Sequence, residues 1–110
     1  LEDARANILE IQAIALQHNT QIILIPQIIA QQSFNDLSSY WEMESELSQA
    51  YSNIHLVDVR NKLRHFSDQE ILVDNNHFSR KGHQELAHAL KQPLIDLIFS
   101  NSKANKIDER

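Results

Sequence analysis

The sequence has no cysteine and only one glycine, Gly82, among its 110 residues. The absence of cysteine excludes disulfides, thiolate metal sites and thiol nucleophiles. Average glycine usage of roughly 7% would give about eight glycines in a chain of this length. A single glycine cannot build the phosphate-binding loops G-x-G-x-x-G or G-x-x-x-x-G-K-[ST], so nucleotide sites of those two kinds are excluded.

Long apolar segments and an excess of basic residues are also missing. No apolar run approaches the roughly 20 residues that a membrane-spanning helix needs, so no transmembrane segment is predicted. The formal net charge is −5 at pH 7, which argues against binding along the phosphate backbone of a nucleic acid. The first residues do not follow the basic-then-apolar order of a signal peptide. Any targeting signal would precede Leu1, so the sequence leaves the cellular location unknown.

The residues that are present have the composition of a folded protein. Hydrophobic residues make up 42% of the chain and charged residues 23%, close to the globular average and unlike a disordered segment. The length corresponds to one domain at most, or to part of one. Because the chain has one glycine and does not begin with methionine, we expect it to be a segment of a longer protein.

Hydrophobic periodicity predicts helices and strands that alternate along the chain. The β-branched run 21–25 ends at Pro26 and predicts a strand buried on both faces, as in a parallel sheet covered by helices. The run 54–57 predicts a second strand, and 27–36 a loop. The first predicted helix has Glu2 and Asp3 in its first turn and stops at His18 and Asn19. The second runs from a cap at Asp36 to Asn53. One or two helical turns are predicted within 59–66, and the last helix begins at Ser79.

Apolar side chains at helical spacing predict the buried face of each helix. In the first helix the stripe consists of Ile8, Ile11 and Ala15, widened by Leu9 and Leu16. In the second it consists of Leu37, Tyr40, Trp41, Leu47 and Tyr51, which we interpret as core packing more than as a stacking site for a ligand. In the last it consists of Leu86, Leu90, Leu94 and Leu97, interrupted by Pro93, which should kink the helix or restart it near Lys91. Residues 67–70 are predicted as a polar surface loop.

The alternating order of elements predicts an α/β fold with a parallel sheet. Two strands do not make a stable parallel sheet on their own. We therefore expect the chain to need further strands from elsewhere.

Asp74 and His77 form the pattern with the clearest chemical meaning. They lie in the stretch 73–83, between a short apolar run and the last predicted helix. A carboxylate three residues before a histidine can accept a hydrogen bond from one ring nitrogen, which fixes the tautomer and leaves the other nitrogen free as a base. A buried Asp74 would also stabilise the imidazolium of His77. We expect a carboxylate oxygen within about 3.2 Å of a ring nitrogen, and the second nitrogen facing a cleft.

Two other interpretations of these residues stay open. In the first, Asp74 caps a turn and His77 is a surface or packing residue. In the second, histidines bind a metal, since the chain has six of them. However, His83 and His88 are about 140° apart around a helix, and no H-E-x-x-H spacing occurs. We therefore do not expect a metal site.

The pattern Asp74-x-x-His77-Phe78-Ser79-x-x-Gly82-His83-x-x-x-Ala87 resembles the last conserved block of the SGNH hydrolases, also called GDSL lipases or esterases. The preceding order of helices and strands is similar to the second half of that family. The resemblance implies part of a three-layer α/β/α, flavodoxin-like sandwich, with residues 1–100 as the C-terminal half of the domain and 101–110 as a polar, frayed tail. It also implies ester hydrolysis by a serine nucleophile, with no metal or organic cofactor.

The resemblance also assigns roles to individual residues. His77 would be the general base and Asp74 its orienting carboxylate, while Ser79 would cap the last helix and Gly82 would allow close packing in its first turn. The family's Gly-Asp-Ser nucleophile motif and its oxyanion glycine and asparagine have no counterpart here. We expect the segment to be inactive alone, because acyl transfer needs a nucleophile and an oxyanion hole.

The partners that follow are the missing N-terminal half of the same domain and a small ester or acyl substrate, whose identity the sequence does not specify. Residues 27–36, with Ile28, Ile29 and Phe34, are candidates for an apolar wall that binds the acyl group, or form a loop packed on its own core. The alternative function is a non-catalytic α/β interaction module. In that case an exposed flank would favour self-association.

Overall fold

The computed structural model describes the backbone of residues 1–31 and 34–108, and the side chains of residues 1–31 and 37–100. These residues form five helices and a two-stranded parallel sheet. The elements in chain order are α1 (Glu2–Gln17), β1 (Ile22–Leu24), α2 (Phe34–Ala50), β2 (Ile54–Leu56), α3 (Arg60–Leu63), α4 (Asp68–Ile71) and α5 (Arg80–Asp108). The predicted α/β class with a parallel sheet is confirmed.

The end of α1 has the hydrogen bonds of a Schellman motif. Asn19 has a φ of 53°, in the left-handed region. The Thr20 amide donates to the Ala15 carbonyl at 2.8 Å, and the Asn19 amide donates to the Leu16 carbonyl at 3.3 Å. These two bonds define the cap, so the predicted stop at Asn19 is confirmed.

The sheet is smaller and less covered than the sequence predicts. Its register pairs Ile22 with Ile54, Ile23 with His55 and Leu24 with Leu56. The prediction that the first strand is buried on both faces was wrong, since all three residues of β1 are half-buried and Ile25 is 44% exposed. A strand with a single neighbour keeps an open edge, and its side chains lack the cover that a larger sheet would give.

A first hydrophobic cluster packs α1 and α2 against the sheet. Its buried members are Met43, Leu47 and Ile54, and its half-buried members are Ala4, Ile8, Leu9, Ile22, Leu24 and Tyr51. The cluster thus includes side chains from both long N-terminal helices and from both strands. We call it the sheet cluster.

A buried amide pair explains why the predicted stripe of α1 was partly wrong. Gln12 and Asn53 are 8% and 3% exposed. Gln12 Nε2 donates to Asn53 Oδ1 at 3.0 Å, and Asn53 Nδ2 donates to the Gln12 carbonyl at 3.2 Å. Because the two residues satisfy each other's hydrogen bonds, the polar side chain of Gln12 can lie on the buried face of α1. Ile11 and Leu16, predicted to face the core, are 56% and 57% exposed.

The segment 67–70, predicted as a surface loop, contains the start of α4 instead. The Ser67 hydroxyl accepts a hydrogen bond from the Glu70 amide at 3.3 Å, and Glu70 Oε1 accepts one from the Ser67 amide at 3.1 Å. Together they form a capping box, whose sequence signature is Ser-x-x-Glu. The box allows a helix of a single turn that ends at the buried Ile71.

A second hydrophobic cluster lies beyond β2 and joins α3, α4 and α5 to the loop after β1. Its buried members are Ala30, Val59, Leu63, Ile71, Leu72 and Ala89, and the half-buried side chains around them include Ile28, Phe78, Leu86 and Leu90. We call it the α5 cluster. The amide of Ala30 donates to the carbonyl of Asn75 at 2.8 Å. The loop after β1 is therefore attached directly to the loop before α5.

The helix α5 is continuous although it contains Pro93. Proline has no N–H, so the carbonyl of Ala89, four residues earlier, loses its helical donor. Lys62 Nζ donates to this carbonyl at 3.0 Å and supplies the missing hydrogen bond from α3. The helix therefore does not restart near Lys91, and the backbone of 101–108, predicted as a frayed tail, is helical.

The predicted helix starts differ in their outcome. Ser79 is confirmed as the cap of α5, because its hydroxyl accepts a hydrogen bond from the Gly82 amide at 3.0 Å. The helix α2 begins at Phe34, two residues before the predicted cap Asp36, whose side chain lies outside the described residues. In the part of the chain that the structure describes, no helix has both the length and the apolar character needed to cross a membrane.

Replacing Lys62 by methionine should lower the free energy of unfolding by about 1 kcal/mol, because it removes the hydrogen bond to a carbonyl without a helical partner. The loss should shrink in a Pro93→Ala background, where residue 93 regains an N–H. Urea denaturation of the four proteins measures this coupling as a double-mutant cycle. Lys91→Met on the exposed side of α5 is the control. An undiminished loss in the Pro93→Ala background would contradict the assignment.

Candidate active site

Residues 73–77, which we call the His loop, contain both predicted site residues and connect α4 to α5. The loop is closed by an antiparallel bridge between Leu72 and Phe78. Just outside it, the amide of Ser79 donates to the carbonyl of Ile71 at 2.8 Å. The ends of the loop are thus held together by the packing of its flanking helices.

The carboxylate of Asp74 organises the His loop from inside. Its Oδ1 accepts hydrogen bonds from the amides of Asn76 at 2.9 Å and His77 at 2.8 Å. The Nδ1 atom of His77 lies 2.8 Å from Asp74 Oδ2 and 3.0 Å from Oδ1. The expected contact between a carboxylate oxygen and a ring nitrogen is therefore present, and it orients the imidazole ring.

The hydrogen bond between Asp74 and His77 defines the tautomer of the neutral imidazole ring. The pKa of Asp74 lies below its ordinary value, first because of the hydrogen bond from the Asn76 amide and second because of the His77 side chain. Ionised Asp74 can only accept hydrogen bonds, so the hydrogen of a neutral His77 ring must reside on Nδ1. The Nε2 atom then carries the lone pair, which is the tautomer that a general base requires.

The side chains of Asp74 and His77 are more exposed than predicted. The side chain of Asp74 is 53% exposed and that of His77 is 70% exposed, so the expectation of a buried aspartate was wrong. Among the described residues, the hydrogen bonds of the His77 side chain go to Asp74 alone.

The serine closest to His77 in sequence has another role. The hydroxyl of Ser79 donates to the carbonyl of Glu70 at 2.9 Å and accepts from the amide of Gly82 at 3.0 Å. Both bonds fasten the start of α5 to the end of α4. Both the donor and an acceptor site of the Ser79 hydroxyl are therefore used by the helix cap.

Gly82 allows the close approach of these two helices. A Cβ atom at this position would overlap the Ile71 carbonyl oxygen and would lie 2.6 Å from Phe78 Cδ1. Because one of these neighbours is backbone, it cannot move aside as a flexible side chain could. Gly82, for which the resemblance implies close packing, thus occupies a position where no side chain fits.

A cavity of about 350 Å³ lies between the loop after β1 and helices α2, α3 and α4. Ile28 and Ile29 line it, whereas the side chain of Phe34, predicted with them, lies outside the described residues. Neither Asp74 nor His77 lines the cavity. It is therefore not the cleft that we expected opposite the free nitrogen of His77.

Arg60, which was not among the residues predicted for a site, lies at this cavity. Its guanidinium donates to both carboxylate oxygens of Asp58, at 2.8 and 2.7 Å, and its Cζ lies 4.4 Å from the ring centroid of Trp41. The hydrogen bond from Arg60 lowers the pKa of Asp58. The available signal was an Asp-x-Arg sequence directly after β2, at the end of a parallel sheet where ligands bind.

Other histidines contact aromatic or amide side chains. His55 Nε2 lies 2.6 Å from Gln21 Oε1, and the rings of His65 and His83 pack near phenylalanines. Within the described residues, no group of three or more histidine, aspartate or glutamate side chains is arranged to hold a metal ion.

No family model, curated protein or solved structure matches the chain. The geometry of its own residues is therefore the basis of the functional assignment.

The change Gly82→Ala should destabilise the fold by about 1–3 kcal/mol, the usual cost of overpacking. Helix propensity alone would favour alanine by roughly 1 kcal/mol, so the two effects predict opposite signs. Chemical denaturation decides between them, with Gln84→Ala on the exposed face of the same helix as the control. A stabilised Gly82→Ala protein would rule out the close approach of α5 to α4.

Stability should depend on pH through Asp74. Because its pKa is lowered in the folded state, the ionised carboxylate stabilises the fold above the ordinary aspartate pKa, and this contribution is lost as the pH falls through the lowered value. The difference in unfolding free energy between the wild type and Asp74→Asn should therefore shrink in acid. Urea denaturation across a pH series measures it, with Glu10→Gln as the control. A difference that persists unchanged at the lowest pH would contradict the assignment.

Proposed function

We propose that this chain supplies the histidine general base and its orienting aspartate to a serine ester hydrolase of the SGNH type. The observation that carries the proposal is the 2.8 Å contact between Asp74 Oδ2 and His77 Nδ1 within one loop. It holds the ring in the tautomer that leaves Nε2 free to take a proton. Two of the three parts of a Ser-His-Asp triad are thus proposed to lie in this chain.

The surroundings of the His loop support this proposal. The loop leads directly into a helix capped by Ser79, and Gly82 occupies the first turn of that helix with no room for a side chain. Both residues have the roles that the resemblance implies for them. We further propose that the parallel pair β1–β2 belongs to a larger sheet in a three-layer α/β/α sandwich, with additional strands at its open edges.

The proposed mechanism uses the pair as a proton carrier. Nε2 of His77 removes the proton from a serine hydroxyl as that oxygen attacks the ester carbonyl, and then delivers it to the leaving alcohol oxygen. In the second half of the reaction Nε2 takes a proton from water as the water attacks the acyl-serine, and returns it to the serine oxygen as the acid is released. Asp74 stays ionised and stabilises the imidazolium formed in between. The nucleophile and the oxyanion donors come from a segment outside this chain, which would pack on the exposed side of His77.

The purified chain should not hydrolyse a short activated ester above the background rate. The physical reason is that a base without an activated nucleophile can only assist water. In subtilisin, a known serine hydrolase, loss of the serine alone lowers kcat by roughly 10⁶-fold. The wild type and His77→Ala should therefore give equal rates. In a longer protein that includes the nucleophile, His77→Ala should lower kcat by at least about 10³-fold and Asp74→Asn by less.

Two results would contradict the proposal. The first is a His77-dependent rate in the chain alone, which would mean that a serine of this segment is the nucleophile. The second is near-normal hydrolysis by His77→Ala in the longer protein. The residues upstream of Leu1 provide an independent check, since the proposal requires a strand followed by Gly-Asp-Ser.

A non-catalytic interaction module is the second candidate, and the surface of α1 favours it. Ile11 and Ile14, one turn apart on α1, are 56% and 59% exposed, and neighbouring exposed apolar side chains mark contact surfaces. Sedimentation of the chain distinguishes the two candidates when it is combined with the ester assay. Self-association together with an inactive longer protein would support the module.

A further inference from the structure

We propose that the cavity between the loop after β1 and helices α2, α3 and α4 binds a short aliphatic carboxylate. Its hydrocarbon chain would lie inside the cavity and its head group at Arg64. Neither Asp74 nor His77 lines this cavity, so the binding site is separate from the proposed catalytic pair and does not depend on ester hydrolysis.

The walls of the cavity are apolar and firmly placed. Among the described residues, five apolar side chains line it, namely Ile28, Ile29, Trp41, Leu63 and Ile71, and all but Ile28 are at most 9% exposed. Their positions are set by core packing, so the cavity is largely formed before a ligand enters. Its volume of about 350 Å³ is near the lower end of the roughly 300–1,000 Å³ typical of small-molecule sites. This size suits one short chain.

The shape of the cavity favours an aliphatic chain over a flat ring. Trp41 is the aromatic side chain among the lining residues, and the guanidinium of Arg60 lies 4.4 Å from its ring centroid. One face of the Trp41 ring is therefore occupied by a cation–π contact and is not open to a stacking ligand. The remaining apolar walls are branched aliphatic side chains, which a flexible hydrocarbon chain can contact closely.

An arginine without an ion-pair partner favours a negative head group at the cavity. Arg60 is neutralised by its two hydrogen bonds to Asp58. Asp68, a carboxylate among the lining residues that the structure describes, keeps its charge and is held towards the loop after β1 by a hydrogen bond from the backbone amide of Gln31 at 3.1 Å. Arg64 forms no ion pair with another residue that the structure describes. The guanidinium without a counter-charge is thus that of Arg64, and a carboxylate is its natural partner.

Intrinsic fluorescence tests the proposal directly, because Trp41 is the sole tryptophan of the chain. The probes are octanoate, octanol and octylamine, which share one hydrocarbon chain and differ in head-group charge, each used below its micelle concentration. Octanoate should produce a saturable change in emission. Octanol should bind about two- to five-fold more weakly, as expected for the loss of an exposed charge contact, and octylamine more weakly still.

Variants separate the head group from the chain. Arg64→Gln should reduce the affinity for octanoate to that for octanol and leave octanol unchanged. Arg80→Gln, at the exposed start of α5, is the matched control and should change neither. Ile28→Phe, which fills part of the cavity, should weaken all three ligands, with circular dichroism as the check on folding.

Three results would overturn the proposal: no saturable response to octanoate, equal affinities for octanoate and octylamine, or identical effects of Arg64→Gln and Arg80→Gln. These readouts are binding measurements on the chain alone. Their failure would therefore leave the ester-hydrolysis proposal untouched, and inactivity towards esters would leave the binding proposal untouched.

Discussion

The candidate site depends on the close approach of the first turn of α5 to the last turn of α4. Gly82 makes this approach sterically allowed, and Ser79 fastens it through hydrogen bonds to the carbonyls of Glu70 and Ile71. The five residues of the His loop then have only a short gap to span. The carboxylate of Asp74 fills the inside of that loop, and the ring of His77 takes its orientation from it. The geometry of the Asp74–His77 pair thus follows from helix packing.

The same packing links the two proposed sites. Leu63 and Ile71 belong to the α5 cluster and also line the cavity, while Lys62 joins α3 to α5 at the carbonyl freed by Pro93. A ligand in the cavity would add contacts to side chains that hold α3 and α4 in place. The loop after β1 contributes to both sites, because it lines the cavity with Ile29 and bonds the His loop through Ala30.

Sequence patterns predict this fold well where a short motif specifies the local structure. Asn19 as a helix stop, Ser79 as a cap and the Asp74–His77 contact all depend on residues within a few positions of one another. The prediction is poor where distant residues decide the outcome. Periodicity could not show that Gln12 is buried, because its amide is satisfied by Asn53, 41 positions away. It could not show that Pro93 is tolerated, because the replacement donor Lys62 comes from another helix.

The capping box at Ser67 was a local signal, but its segment was predicted as a loop because four polar residues also fit a loop. The cavity, in contrast, has no local sequence signal. Its walls come from four separate parts of the chain, and Trp41 alone gives no sign of whether it meets a core or a ligand. Arg60 became recognisable only when its contacts with Asp58 and Trp41 were seen together.

The capping box, the bridge at Leu72 and the cap at Ser79 are local anchors of the His loop within the short stretch 67–82, and the hydrogen bond from the Ala30 amide to the Asn75 carbonyl adds a distant one. Closing a short loop costs little conformational entropy, whereas the parallel register of Ile22 with Ile54 must close a much longer one. Folding can therefore assemble the His loop and its flanking turns early, before the strands find each other. The orientation of the His77 ring by Asp74 therefore depends on contacts between neighbours in the sequence, and it can be established while the sheet is still unformed.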